Sequence, residues 1–318
     1  MLIVAVAVVT VYTSRNESTL LTHMPMVMAH DAGSGYLEPG LVNSWARTQS
    51  GGFTAQLDCG ARAFDARPYL SKRRGLVWHH GGVTVPQALE QSLTEVIAWL
   101  ATHPSELVIW LIWDCKGEGC MAAVAQTMTA YNVTNVIDCG RLQAEQWTYG
   151  EAKRRGRLPA GGSLVVFMGP EACSEPNYYP NTTCTGFLRA LAPARDIDAK
   201  SRVASAGSGE HFYSCWQTDR SRDTPLQRML DSLDVAARTV TDAHFSQAQA
   251  LWQESADSVA IGVFRGSSLL IDEQRSGLNR LVADEVLRGR WARLNLVEVN
   301  HVCDGGSQLL AALLQQLS

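Results

Sequence analysis

Residues 86–114 read PQALEQSLTEVIAWLATHPSELVIWLIWD. Leu89, Leu93, Val96, Ile97 and Leu100 recur at three- and four-residue spacing and make one apolar stripe, so the spacing predicts a helix over 86–103. Pro104 stops it, because the proline ring clashes with the preceding turn. Leu107–Trp113 follows at once as an unbroken apolar run. A strand with one wet face alternates; an unbroken run suits a strand buried on both faces of a parallel sheet.

The same cycle extends in both directions. Met24–Ala29, Ala63–Ala66 and Gly75–Trp78 read as strands before it, and Val133–Ile137, Leu164–Met168, Val259–Phe264 and Asn295–Val299 as strands after it. Cys120–Tyr131, Pro225–Ala237, Asp272–Arg288 and Ser307–Leu317 read as helices. Residues 170–220 are rich in Pro, Gly, Ser, Asn and Cys and read as a long loop region over the rim of the site. Strand–helix alternation implies α/β architecture with right-handed crossovers. The 318 residues suit one α/β barrel of about 250 residues with insertions. A closed barrel is the natural solution, although periodicity alone also admits an open sheet. The expected organisation is an apolar segment and lead-in over 1–22, then a single barrel domain over 23–318.

The formal charge of −4, with basic runs no longer than Lys72–Arg74 and Lys153–Arg155, argues against nucleic acid as a partner. Eight cysteines permit disulfides, with Cys115/Cys120 and Cys173/Cys184 able to close short loops. They lack the paired CxxC spacing of structural zinc. Sequons stand at Asn16, Asn132 and Asn181. With the cysteines they point to a secreted, extracellular or lumenal glycoprotein. Residues 2–12 (LIVAVAVVTVY) are too short to span a bilayer and read as a signal remnant, a shortened anchor or a buried strand.

Three predicted strands run straight into charge: Ala29-His30-Asp31, Phe64-Asp65-Ala66-Arg67 and Trp78-His79-His80-Gly81. Burying such groups is costly unless they face a cleft, and in a barrel the catalytic groups stand at the carboxyl ends of strands. Only one of His79 and His80 can face the site, since neighbours on a strand point to opposite sides. Two histidines, an arginine and two carboxylates suffice to cleave a phosphodiester by internal attack. One imidazole takes the proton of the attacking hydroxyl and the other gives one to the leaving oxygen. The guanidinium meets the phosphate charge, and the carboxylates orient the rings.

At these residues the chain resembles the X-domain of phosphatidylinositol-specific phospholipases C, nearest to the metal-independent bacterial enzymes and the short eukaryotic X-domain proteins. MAHDAGSGYL, QLDCGARAFDARPYL and VWHHGGVTVPQALEQSLTEVIAWLATHPSELVIWLI carry the resemblance, which is close over residues 23–114 and collinear beyond. It implies a distorted TIM (β/α)8-type barrel that cleaves a phosphoinositide at a membrane surface to a cyclic inositol phosphate and diacylglycerol. By this resemblance His30 is the base, His80 the acid with Asp65 as its partner, Arg67 the phosphate ligand, and Asp31 the carboxylate near Arg67. The guanidinium of Arg67 stands where calcium-dependent relatives place a carboxylate, so no metal or other cofactor is expected, and no obligate protein partner is inferred.

Two departures stand out. The family's late strand carries an Asp that orients the base; Asn300 falls there, with Asp304 as a nearby substitute. The basic residues that hold the inositol ring are missing, and Trp113, Asp114, Asp219 and Trp216 are the replacement candidates. These departures keep two alternatives in play: another phosphodiesterase on the same barrel with a non-inositol headgroup, and a secreted binding protein that has lost turnover. Trp45, Trp78, Trp113 and Trp216 are candidates for docking on lipid.

Overall fold

The computed structural model describes residues 16–112, 114–136, 146–168, 212–214 and, within 230–317, all but 231–232, 235, 239, 241, 243–244, 253–255 and 265. In chain order come β1 (Met26–Ala29), α1 (Asn43–Ala46), α2 (Phe53–Asp58), β2 (Ala61–Ala66), β3 (Pro68–Ser71), β4 (Gly75–His80), β5 (Val83–Ala88), α3 (Leu89–Thr102), β6 (Leu107–Ile112) and α4 (Cys120–Ala130). Then follow β7 (Thr134–Val136), α5 (Tyr149–Arg155), β8 (Ser163–Met168), β9 (Phe212–Ser214), β10 (Phe245–Ala250), α6 (Ala256–Phe264), α7 (Leu269–Ser276), α8 (Leu278–Leu287), β11 (Leu296–Val299) and α9 (Gly306–Gln315).

Among the described residues eight strands form one sheet in the order β7-β8-β6-β2-β1-β11-β10-β9, and every pairing in it is parallel. All carboxyl ends therefore meet at one rim. This is a distorted (β/α)8-type barrel. The distortion has two visible sources: β7 pairs outside β8, out of chain order, and β3–β5 form a separate antiparallel sheet inserted after β2.

Strand alternation divides the core in two. Val27, Val108, Trp110, Val166 and Val297 pack with helix residues such as Leu93, Val96, Val282 and Leu309. Met26, Met28, Ile109, Phe167 and Leu296 pack with one another, so they fill the barrel interior. The inward parity runs Met26-Met28-His30 on β1, Ala63-Asp65-Arg67 on β2 and Leu296-Glu298-Asn300 on β11. The apolar interior thus becomes polar towards the carboxyl rim.

Several expectations need correction. The helix expected over 86–103 begins at Leu89, because Val83–Ala88 is a strand. Pro86 is tolerated there, as β5 pairs with β4 alone and its open edge needs no N–H. Gly75–His80 is a strand but not a barrel strand, so the third histidine motif reaches the rim from the inserted sheet. Val259–Phe264, expected as a strand, lies in helix α6; a short apolar run does not distinguish the two. The helix expected over 272–288 is broken at Gly277, whose φ of 61° caps α7 in the left-handed region. Trp78 is fully buried, which removes it from the lipid-docking candidates. Residues 2–12, Trp113, Cys173, Cys184, Asn181, Trp216 and Asp219 lie outside the described residues.

Two disulfides are present. Cys115–Cys120 closes the short loop anticipated from spacing. Cys59–Cys303, 244 residues apart in sequence, joins the residues just before β2 and just after β11, the two strands that flank β1.

Candidate active site

The chain turns sharply at the end of β1. Asp31 has a φ of 42°, a left-handed conformation that aspartate enters more readily than most residues. In a continuing strand His30 and Asp31 would face opposite sides. The turn instead brings Asp31 Oδ2 within 3.3 Å of His30 Nε2. Gly33 follows, and a Cβ on it would lie 2.6 Å from the Trp78 side chain. Glycine there lets β4 approach and deliver His80 to the rim. The Gln49 side-chain amide donates to the carbonyls of His30 and Val299 at 3.0 Å each, while its oxygen accepts from the Val302 N–H at 3.0 Å. This buried glutamine braces the end of β1 against the end of β11.

Arg67 binds both carboxylates. Its Nε is 2.9 Å from Asp31 Oδ1 and its Nη2 is 2.7 Å from Asp65 Oδ2. Asp65 also accepts the backbone N–H of Asp31 at 2.9 Å. His80 Nε2 lies 3.1 Å from Asp31 Oδ2. The geometry therefore makes Asp31, not Asp65, the carboxylate beside His80. The reason is local: Asp65 shares a strand face with Arg67 two residues on and is taken up by it, whereas the turn at Asp31 swings its carboxylate between both imidazoles. Burial alone would raise the pKa of Asp31, but the Arg67 guanidinium and the neighbouring imidazoles outweigh it and hold the carboxyl below the ordinary range.

Hydrogen-bond polarity fixes the state of each ring. His30 Nδ1 is 2.8 Å from Asn300 Oδ1. The Asn300 Nδ2 donates to the Trp252 carbonyl at 2.9 Å and to Glu273 Oε1 at 2.7 Å. Both partners only accept, so the amide oxygen must face His30 and Nδ1 must carry the hydrogen. Around Nε2 stand a donor, Arg67 Nη2 at 3.2 Å, and an acceptor, Asp31 Oδ2 at 3.3 Å; in the neutral ring the hydrogen on Nδ1 leaves Nε2 with its lone pair, which the Arg67 donor can meet. Burial lowers the pKa of His30; Asp31 and Asp65 oppose the shift, while Arg67 and His80 reinforce it. In His80, Nδ1 faces the Ala46 carbonyl at the end of α1 and Nε2 faces the Asp31 carboxylate. Two acceptors suit an imidazolium. With ring centroids 6.1 Å apart and both Nε2 atoms on Asp31 Oδ2, one ring can accept a proton and the other can donate one, with Arg67 beside the first.

The remaining candidates separate. His79 is buried, its Nε2 2.7 Å from the Asp114 carbonyl, while the Asp114 carboxylate pairs with Lys116 at 3.5 Å. Asp304 is ion-paired with Arg280 and does not replace the expected carboxylate at His30. Two buried acids escaped the sequence reading. Glu298 lies inside the barrel, its Oε2 accepting from the side-chain amides of Gln247 and Gln249; its shared parity with Asn300 was the available signal. Glu273 comes from α7, and no local spacing pointed to it. His30, Asp65 and Glu298 place one ligand atom each within 4.8 Å of one another, a grouping able to hold a cation. Arg67 already contacts the first two, so its guanidinium supplies positive charge at that place.

No protein-family model matches the sequence. Among solved structures, the chain is similar to the phosphatidylinositol-specific phospholipase C of Listeria monocytogenes, with 14% identity over 95% of this chain and 96% of that one and a TM-score of 0.61. It is also similar to the phosphatidylinositol-specific phospholipase C of Staphylococcus aureus, with 14% identity over 94% and 95% of the two chains and a TM-score of 0.62. At this identity the likeness is one of fold, carried across nearly the whole length.

Proposed function

We propose that the protein is a phosphodiesterase that cleaves a phosphoinositide-type lipid by internal attack. The observation that carries this reading is the convergence of His30 Nε2 and His80 Nε2 on one oxygen of Asp31, at 3.3 and 3.1 Å, beside Arg67. In the proposed reaction His30 Nε2 takes the proton of the inositol 2-hydroxyl, and that oxygen attacks phosphorus. The bond to the diacylglycerol oxygen breaks as His80 Nε2 delivers its proton to it. Arg67, held by Asp31 and Asp65, neutralises charge on the non-bridging oxygens. Cyclic inositol phosphate and diacylglycerol leave, and the two imidazoles have exchanged their protonation states.

Product analysis on phosphatidylinositol in EDTA tests the reading. Release of cyclic inositol phosphate, undiminished by the chelator and absent with phosphatidylcholine, is expected. A strict requirement for added divalent metal, or cleavage of other headgroups alone, would sink it.

Docking on a membrane surface has its own support. Leu41, Val42 and Phe264 are 72%, 66% and 93% exposed. The segments bearing them adjoin, because the Trp45 ring packs directly over Gly262. Large exposed apolar side chains on adjoining segments suit insertion among lipids. The double substitution L41S/F264S should weaken partitioning onto phosphatidylinositol vesicles and raise the apparent KM there by about 10-fold. A short-chain monomeric substrate should be affected much less; equal effects on both would discount the lip. No helix among the described residues is long and apolar enough to cross a membrane. The two disulfides and the exposed sequon asparagines Asn16 and Asn132 fit a secreted protein that meets its lipid from the outside.

A further inference from the structure

The fold supplies a carboxylate behind the base, one side chain further back than expected. Glu273, 3% exposed on α7, accepts at Oε1 from the Asn300 amide at 2.7 Å and from the backbone N–H of Trp252 at 2.8 Å. Asn300, fully buried, spends its second amide hydrogen on the Trp252 carbonyl at 2.9 Å and turns its oxygen to His30 Nδ1 at 2.8 Å. We propose that Glu273 is the positioning residue of the base, through a His30–Asn300–Glu273 relay. The inference rests on the reading of His30 as the base.

The physics of the relay is directional. An amide can turn over, presenting either its oxygen or its NH2 to a neighbour. A carboxylate accepts and never donates, so Glu273 admits only the NH2 of Asn300. The amide oxygen is then committed to His30, Nδ1 is committed to carrying hydrogen, and Nε2 is left bare toward the site. The negative charge also polarises the amide, and hydrogen bonds in such a chain strengthen one another in a dry interior. Stabilisation of an imidazolium on His30 is thus passed through Asn300, weaker than from a carboxylate in direct contact but of the same sign. Among the described residues, the other titratable or charged groups near His30 are Asp31, Asp65, Arg67, His80 and Glu298.

The prediction is a pattern of four chains. The E273Q variant keeps the shape and an acceptor oxygen but loses the charge. Its kcat on phosphatidylinositol should fall roughly 10- to 100-fold, by analogy with the cost of removing groups that orient a metal-bound histidine, with KM little changed. The acidic limb of kcat/KM should move to lower pH. The N300D variant should not improve the wild-type chain, because it sets two carboxylates against each other in a buried space. N300D/E273Q places one carboxylate directly on His30 and should recover most of the loss. A merely structural Glu273 would give additive losses instead. Nitrogen NMR of His30 in the free protein reads the same relay without turnover: Nδ1–H in the wild type, and a mixed tautomer or a lowered pKa in E273Q. An unchanged His30 titration in a stably folded E273Q, or N300D more active with Glu273 present than in E273Q, overturns the relay. If the wild type shows no cleavage, the proposed function fails while the NMR arm still decides the relay.

Discussion

The variant H30A is expected to cleave phosphatidylinositol about 100- to 10,000-fold more slowly than the wild type, the usual contribution of one positioned proton-transfer group. The nitrogen at stake is Nε2. Its lone pair follows from the other end of the neutral ring, where Nδ1 gives its hydrogen to Asn300, and Arg67 offers it a donor. Alanine removes the acceptor and leaves the attacking hydroxyl to lose its proton to water. H80A should show a comparable loss on the natural lipid and a much smaller one on a substrate whose leaving group needs no proton, such as a nitrophenyl phosphodiester of inositol. H30A should gain nothing from that substrate, since attack still requires a base. Measuring both variants on both substrates separates base from acid. Equal rescue of the two, or of neither, would remove the assignment. Circular dichroism and thermal melts should accompany the assay, since His30 is buried and its removal opens a space beside Asp31 and Asp65.

The second large effect is on stability. Burial and the neighbouring Asp65 carboxylate push the pKa of Glu298 up to about 8, against an ordinary value of 4.5, with the Gln249 and Gln247 amides and Arg67 opposing. Between those values the folded chain holds a proton that the unfolded chain has released. Folding stability is therefore fullest below pH 4.5 as far as this group is concerned, falls as pH rises, and is lost by about pH 8. The span corresponds to roughly 5 kcal/mol at about 1.4 kcal/mol per pH unit. The variant E298Q has the same shape with no proton to lose. Urea denaturation between pH 5 and 8 should show a declining stability in the wild type and a flatter profile in E298Q, which becomes the more stable of the two at the alkaline end. A variant with the wild-type slope would mean that Glu298 is ionised throughout. A neutral Glu298 also has a use in the site: it leaves Asp31 and Asp65 as the carboxylates facing Arg67.

The amino-acid sequence disclosed the barrel through runs with strong periodicity, such as α3 and β6, and disclosed the rim through the three charged strand ends. β10 was invisible because its inward residues are Gln247 and Gln249, polar side chains that read as surface until Glu298 is there to accept from them. Asp31 stands near Arg67 as expected, but it also takes the place beside His80 expected of Asp65, because a single left-handed residue overrides strand alternation, and nothing in the string HDAG announces that φ. Asn300 was legible as a departure but not as a solution. Its partner Glu273 stands on a helix 27 residues earlier in sequence, brought beside it by packing alone. The same is true of the long-range disulfide, since eight cysteines admit far more pairings than spacing can sort.

That disulfide, Cys59–Cys303, gives the molecule an unusual covalent outline. Residues 59–303 form a ring with two tails, and the first tail contributes β1, slotted between the strands at the ring's two ends. A backbone break inside the ring linearises it and frees no fragment. A break between Asp31 and Cys59 releases a piece that carries both His30 and Asp31. Once such a cut falls before Gln49, half of the proton-handling machinery is retained by packing and hydrogen bonds alone, and the Gln49 brace to His30 and Val299 is one of the bonds that hold it.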